Sequence, residues 1–222
     1  FITSLLNHIA PIVQQYGGFI DKYMGDGFLA VFDDAASYSQ NALDCALALH
    51  RETQVYNLKH RSGPPPKFRE GHKPRQEILI GVGLFSGRVV LGTVGHTERI
   101  EFTVLGDAVN TAARIQDLTK QFCCDLLADS SVMKGVSGFE DRRFVGNVKL
   151  RGKVKSLALY DVFAHQSEEL RESKRQSRDS FEMGVREMEG GNKVEAQNIF
   201  AELAQQHSED TVIQYFQAHS GA

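Results

Sequence analysis

The stretch GGFIDKYMGDGFLAVF, residues 17–32, decides how the chain is read. Phe19–Met24 and Phe28–Phe32 are apolar runs short enough to be strands. Gly25-Asp26-Gly27 between them supplies the positive φ of a tight turn, so the spacing predicts a β-hairpin. Asp26 then stands at the hairpin tip, where a carboxylate is well placed to hold a cation. Lys22 lies four residues earlier, and even spacing puts it on the same sheet face as Asp26 if the strand stays regular. An ordinary hairpin with a solvated aspartate at its turn is the competing reading.

Outward from the hairpin, Leu5, Leu6, Ile9 and Val13 have helical spacing, with Pro11 inside the run and Gly17-Gly18 as its stop. Ala35–Asn57 reads as a long helix with Ala42, Cys45, Ala46 and Leu49 on one stripe. Residues 59–76 hold three consecutive prolines and a cluster of basic residues, the mark of an exposed loop whose charge serves solubility. Glu77–Phe85 is predicted as a strand, Arg88–Val94 as its return and Arg99–Leu105 as a third. Gly81, Gly83 and Gly87 point to a backbone that something approaches closely. Asp107 suits the N-cap of a helix over 108–121. Short strands come next at 125–128, 139–148 and 157–163, with a helical turn at 130–134. This order mixes hairpins with crossover helices and predicts an α+β, mixed-sheet fold.

After Phe163 the composition changes. Residues 166–179 are highly charged and read as a solvated helix or linker. Phe181, Val185 and Met188, then Val194, Ala196, Ile199, Phe200 and Leu203, form two apolar stripes around Gly190-Gly191. The pair resembles one tetratricopeptide-like helical hairpin, with Val212, Tyr215 and Phe216 on a third helix. One such unit cannot bury its face alone, so it needs the main domain, a second copy or a further neighbour. The predicted division is 1–163 for the main domain and 164–222 for the charged linker and helical tail.

A second stretch carries chemistry, RIEFTVLGDAVNTAAR at 99–114. Asn110 and Arg114 are four apart on the predicted helix and point to one side. Ala112 and Ala113 would let the other side lie tight on a sheet. An amide with a guanidinium one turn away can clamp a sugar and a phosphate; a surface helix with a structural asparagine is the alternative.

At 222 residues and 41% hydrophobic, the chain has enough apolar content for a real core. A net charge of −3 gives no sign of general attraction to nucleic acid or membranes. No apolar run approaches a membrane span and no leader is visible, which leads to a cytoplasmic expectation, with membrane attachment of a longer protein left open. Cys45, Cys123 and Cys124 have no metal-ligand spacing and fit a reducing compartment. The start at Phe1 suggests a piece of a longer protein.

GFIDKYMGDGFLAVF and GVGLFSGRVVLGTVGHTERIEFTVLGDAVNTAAR, residues 18–32 and 81–114, together resemble the catalytic domain of class III nucleotidyl cyclases. The resemblance covers roughly residues 1–163 and is nearest the bacterial and soluble, bicarbonate-responsive adenylyl cyclase type. It implies a ferredoxin-like βαββαβ core, continued here by the C-terminal helical hairpin. It also implies a head-to-tail homodimer with composite active sites, and conversion of ATP to cyclic AMP and pyrophosphate with two Mg²⁺ or Mn²⁺ ions.

On that resemblance Asp26 matches the second metal aspartate, Arg114 the arginine that meets charge on the α-phosphate, and Asn110 the residue that orients the ribose. Arg151, in Lys149-Leu150-Arg151-Gly152-Lys153, falls near a basic residue that contacts the terminal phosphates; Lys149 or Lys153 could fill that role. Lys22 and Thr103 fall where the purine is read. A lysine offers only donors, which suits the acceptor N1 of adenine and not the N1 hydrogen of guanine, and the threonine hydroxyl can accept from the N6 amino group. The pair therefore favours ATP. The first metal aspartate of the family has no counterpart in these 222 residues and is expected upstream. A guanylyl cyclase and a nucleotide-binding pseudocyclase are the alternatives.

Overall fold

The computed structural model describes residues 2–61, 77–96, 99–153 and 155–221. Contacts divide the chain into two compact units, Phe1–Ile80 and Gly81–Ala222. The prolines and most of the basic cluster of the expected 59–76 loop lie outside the described residues.

The first unit is built from α1 (Ile2–Gln15), β1 (Phe19–Met24), β2 (Gly27–Val31) and α2 (Tyr38–Arg61). Leu5, Ile9, Ile12 and Val13 make the buried stripe of α1 and pack with Cys45, Ala48, Leu49 and Tyr56 of α2. Pro11 lies on the exposed side of α1 and does not end the helix. β1 and β2 form the expected antiparallel hairpin, but its ladder slips. Ile20 pairs with Ala30 and Lys22 with Leu29, leaving Asp21 as a bulge.

The strand expected over 77–85 is mostly absent, since only Val82–Leu84 (β3) is extended in a ladder. Asn57 of α2 explains the shortening. Its amide nitrogen donates to the Ile78 carbonyl at 2.9 Å and its amide oxygen accepts from the Ile78 N–H at 3.0 Å. The side chain thus takes both backbone groups that a neighbouring strand would have used.

The second unit continues with β4 (Val90–His96), β5 (Arg99–Leu105), α3 (Asp107–Phe122), β6 (Leu126–Asp129), α4 (Ser130–Lys134), β7 (Arg142–Val148) and β8 (Leu157–Val162). Helices α5 (Glu168–Glu189), α6 (Lys193–Gln206) and α7 (Thr211–His219) complete it. β3, β6, β8 and β7 form one sheet in that order, with β3 parallel to β6 and the other pairs antiparallel. The class is the expected α+β with a mixed sheet. β4 is the return strand of β5 rather than of β3, and the two make a separate ribbon. The punctuating glycines serve helix–strand contact: a Cβ on Gly83 would stand 2.3 Å from the Gln116 nitrogen and 2.8 Å from the Ala112 oxygen of α3.

The tail is no solvated appendage. Phe181 and Val185 of α5, Phe200 and Leu203 of α6, and Val212, Ile213 and Phe216 of α7 share one core with Ile115 and Phe122 of α3, Leu127 of β6, Val145 of β7 and Leu159 of β8. The helical hairpin therefore buries its face on the sheet side of its own unit. Each fully buried aromatic of this kind contributes about 1.5–3 kcal/mol.

The charged run at 166–179 is the first half of α5, capped by Ser167, and two of its residues, Lys174 and Ser177, are buried. Three of its cations are paired with acids of the sheet and its border. Lys174 donates to Asp161 at 3.0 Å, and Arg171 and Arg175 donate to Asp141 at 2.7 Å each. Periodicity could not reveal this, because the inward positions are polar ones that become apolar in effect only through their partners.

Candidate functional site

The expected site residues fall in both units. Lys22 and Asp26 belong to the first; Thr103, Asn110, Arg114 and Arg151 belong to the second.

Asp26 is exposed at the β1–β2 turn, after Gly25 with φ 63°. The bulge at Asp21 precedes Lys22, so the ladder runs regularly from Lys22 to Met24. Asp21 is the residue that sequence reasoning missed. Its carboxylate, almost wholly buried, lies 3.2 Å from the Lys22 ammonium, whose side chain remains 43% exposed. An aspartate immediately before the lysine was the available signal; regular strand alternation would have placed it on the opposite face.

Thr103 is buried in β5 opposite Gly92, which puts no side chain over it. Three residues later, at Gly106, the chain turns into α3. Gly106, with φ 152°, is the N-cap, and Asp107, expected there, is the first helical residue instead. Its carboxylate pairs with Lys153. An acidic side chain in this first turn is favourable at the positive end of the helix.

Thr111, Ile115, Thr119 and Phe122 are the buried stripe of α3. Asn110 is exposed and Arg114 half-buried, one turn apart beside that stripe. Of the two alanines expected on the packed side, Ala112 approaches β3 and Ala113 is exposed.

The structure brings Arg114 to the Lys149–Lys153 turn. Arg114 Nη1 donates to the Arg151 carbonyl oxygen. Leu150 is buried and anchors the turn in the core. Of the three basic candidates there, Lys153 is engaged with Asp107 and lies 5.8 Å from the centre of the Phe85 ring, whereas Lys149 and Arg151 are exposed. Arg114 of α3, with Asn110 one turn before it, thus meets a turn whose sequence carries Lys149, Arg151 and Lys153. That inventory suits an anionic, sugar-bearing ligand.

Among the described residues, no group of three or more histidine, cysteine or acidic side chains could hold a metal ion. Asp26 alone offers far fewer oxygen ligands than the roughly six a Mg²⁺ ion takes. Asp21, the nearest carboxylate in the sequence, is already paired with Lys22. The described residues therefore do not complete a two-cation site. No described helix is long and apolar enough to cross a membrane.

The profile of the adenylate and guanylate cyclase catalytic domain matches residues 2–162. An adenylate cyclase of Anabaena cylindrica is 37% identical over 74% of this chain and 32% of its own length. The terminal-differentiation-specific adenylate cyclase of Dictyostelium discoideum is 31% identical over 77% of this chain and 8% of its own. The chain thus spans about a third or less of these curated relatives. Among solved structures, an adenylyl cyclase from P. aeruginosa superposes with a TM-score of 0.59 at 22% identity, covering 73% of this chain and 80% of its own. A bacterial light-regulated adenylyl cyclase gives 0.59 at 23% identity over 80% of this chain and 49% of its own. A guanylyl cyclase gives 0.57 at 22%, over 72% and 79%. These structural likenesses speak for the fold.

Proposed function

The chain belongs to the adenylate and guanylate cyclase catalytic-domain family, and on that premise we propose that it converts ATP to 3′,5′-cyclic AMP and pyrophosphate. The observation that carries the reading is the meeting of Arg114 with the Lys149–Lys153 turn. In the reaction the ribose 3′-hydroxyl loses its proton and attacks the α-phosphorus in line with the departing pyrophosphate. Arg114, one of whose nitrogens donates to the Arg151 carbonyl, meets in this reading the charge that grows on the α-phosphate oxygens. Asn110 holds the ribose, and Arg151, with Lys149 beside it, receives the terminal phosphates. Lys153 is the weaker candidate, because its ammonium is committed to Asp107.

Lys22 and Thr103 read the base. Asp21 supports this by holding the Lys22 ammonium. Two Mg²⁺ or Mn²⁺ ions belong to the same proposal, with Asp26 as one ligand. Residues 1–163 supply the cyclase and 164–222 the tail. The working form is a homodimer with composite sites. The β4–β5 ribbon favours this assembly, for Val90, Val94, Phe102 and Leu105 are between 45% and 66% exposed. A reducing, cytoplasmic setting fits the three free cysteines.

The test is formation of cyclic nucleotide by the purified full-length protein with Mn²⁺ and either ATP or GTP. Cyclic AMP as the main product is expected. A GTP preference would make it a guanylyl cyclase, and nucleotide binding without turnover would make it a pseudocyclase.

A further inference from the structure

β7 approaches the Arg151 turn through a fault in its ladder. Phe144 pairs with Tyr160 and Gly146 with Leu159, so Val145 is an extra residue. Gly146 has φ 127°, and a Cβ there would come within 3.3 Å of Glu189 Oε1. A bulge bends its strand and re-aims the residues beyond it. Here Asn147, Val148, Lys149 and Leu150 are all that separate the bulge from Arg151, whose carbonyl receives Arg114.

Two carboxylates of α5 hold this bulge from outside the sheet. Glu182 Oε1 accepts from the Phe144 N–H at 2.9 Å. Glu189 accepts from the Asn147 N–H through Oε1 and from Asn147 Nδ2 at 3.0 Å through Oε2. Seven residues apart, the two share one side of the helix, with fully buried Val185 between them. Both grips fall on β7 immediately either side of the Val145–Gly146 fault.

We propose that Glu189, together with Glu182, is a positioning residue for the cyclase reaction. The tail helix α5 fixes the bulged end of β7 so that the Arg151 turn stays seated against Arg114. The proposal rests on the cyclase reading. Neither glutamate touches substrate; each acts through the backbone of β7.

The experiment uses the full chain and compares wild type with Glu189→Ala, Glu189→Gln and, as a control on α6, Glu202→Ala. Three quantities are read: kcat and KM for ATP with Mn²⁺, the melting temperature, and amide hydrogen exchange over 147–153. Misplacing the turn should lower kcat of Glu189→Ala roughly tenfold or more. Exchange over 147–153 should accelerate while α6 and α7 stay protected. Glu189→Gln, which keeps one carbonyl acceptor, should retain more activity than the alanine variant, and Glu202→Ala should match wild type. A folded Glu189→Ala protein with wild-type kcat and wild-type exchange overturns the proposal. If Glu189→Ala does not fold, Glu189→Gln decides by the same two readouts. Should wild type make no cyclic nucleotide, the cyclase reading fails by itself. Exchange over 147–153 and the affinity for a non-cyclisable ATP analogue then still decide whether Glu189 seats the turn.

Discussion

Arg143 of β7 holds Asp210, the N-cap of α7, with both terminal nitrogens, at 2.6 and 2.8 Å, and both residues are almost wholly buried. Asp161 accepts from Arg143 Nε at 3.1 Å and from Lys174 at 3.0 Å, so two acids and two bases close a neutral cluster. The Arg143 guanidinium also lies 4.2 Å from the centre of the Phe181 ring. Asp210 additionally accepts from the Val212 and Ile213 N–H groups. Replacing Asp210 with alanine leaves Arg143 and Lys174 to share Asp161 alone, one buried positive charge in excess, and uncaps α7. The expected loss is about 3–5 kcal/mol, read by urea unfolding of the full chain. A loss below about 1 kcal/mol, the scale of a surface pair, would show that the cluster does not bind the tail to the sheet.

Acid should attack the same region. Burial alone would raise the Asp210 carboxyl, but the charge and hydrogen bonds of Arg143 hold it below the usual value of 3.8. Asp141 behaves alike: burial pushes it up, and Arg175 and Arg171 bring it down further. Arg143 is raised despite its burial, because Asp210 and Asp161 face it. A depressed acid contributes stability that is complete above the unfolded-chain value and disappears as pH falls through the folded one. Melting temperature should therefore be insensitive to these two groups at neutral pH and fall steeply below about pH 4, where the unfolded aspartates begin to take up protons. Asp141→Asn should flatten that fall; an unchanged acid slope in the variant would remove Asp141 from the account.

Composite sites predict complementation. Asp26→Ala and Arg114→Ala proteins, each inactive alone, should regain activity when mixed, since one site of each mixed dimer keeps both groups. Dimers that form on mixing and stay inactive would count against the shared-site arrangement.

Arg114→Ala should act on turnover. On the proposed role the charge it meets develops only in the transition state, so kcat should fall by roughly 10²-fold or more while KM changes little. Equal losses in kcat and in affinity for an ATP analogue would instead make Arg114 a ground-state phosphate ligand.

Base choice can be moved. On the proposed base-reading role, Lys22→Glu replaces a donor to adenine N1 by an acceptor suited to the guanine N1 hydrogen and amine, and Thr103→Cys removes the acceptor for the adenine N6 amino group. The kcat/KM ratio of ATP to GTP should shift by far more than about threefold, which is only about 0.65 kcal/mol. Because Asp21 stands beside Lys22, the new glutamate meets a like charge. The triple variant with Asp21→Asn should shift the same ratio with better total activity. A ratio unchanged in both variants would take the base-reading role from Lys22 and Thr103.

The parts of this protein that sequence exposes are those where side-chain period and burial agree. Leu5, Ile9 and Val13 announce α1, and Phe181 with Phe200 announces the helical hairpin. Gly25-Asp26-Gly27 announces the turn by its backbone needs. What stayed hidden depends on pairing between distant residues. Asp21 looks like an outward strand position until the bulge turns it inward. Lys174 looks solvated until Asp161, thirteen residues earlier, takes its charge. Asn57 ends a strand from across twenty-one residues, and no local pattern carries that information. At the site, helical spacing brought Asn110 and Arg114 to one side, but the contact between Arg114 and the Arg151 carbonyl is a tertiary fact.

The outer rim of β7 bears on how the tail can be separated from the rest. A chain severed after Phe163 would lose Glu182 and Glu189, leaving the Phe144 and Asn147 N–H groups without their acceptors on a sheet border. It would also lay bare the apolar surface that Phe181, Phe200 and Phe216 cover. Unpaired border amides beside a greasy face are the template on which foreign strands assemble. The shortened protein should clump during expression, even though the cyclase profile ends at residue 162. The end of the family match and the end of the core that the three helices complete thus fall at different places in the chain.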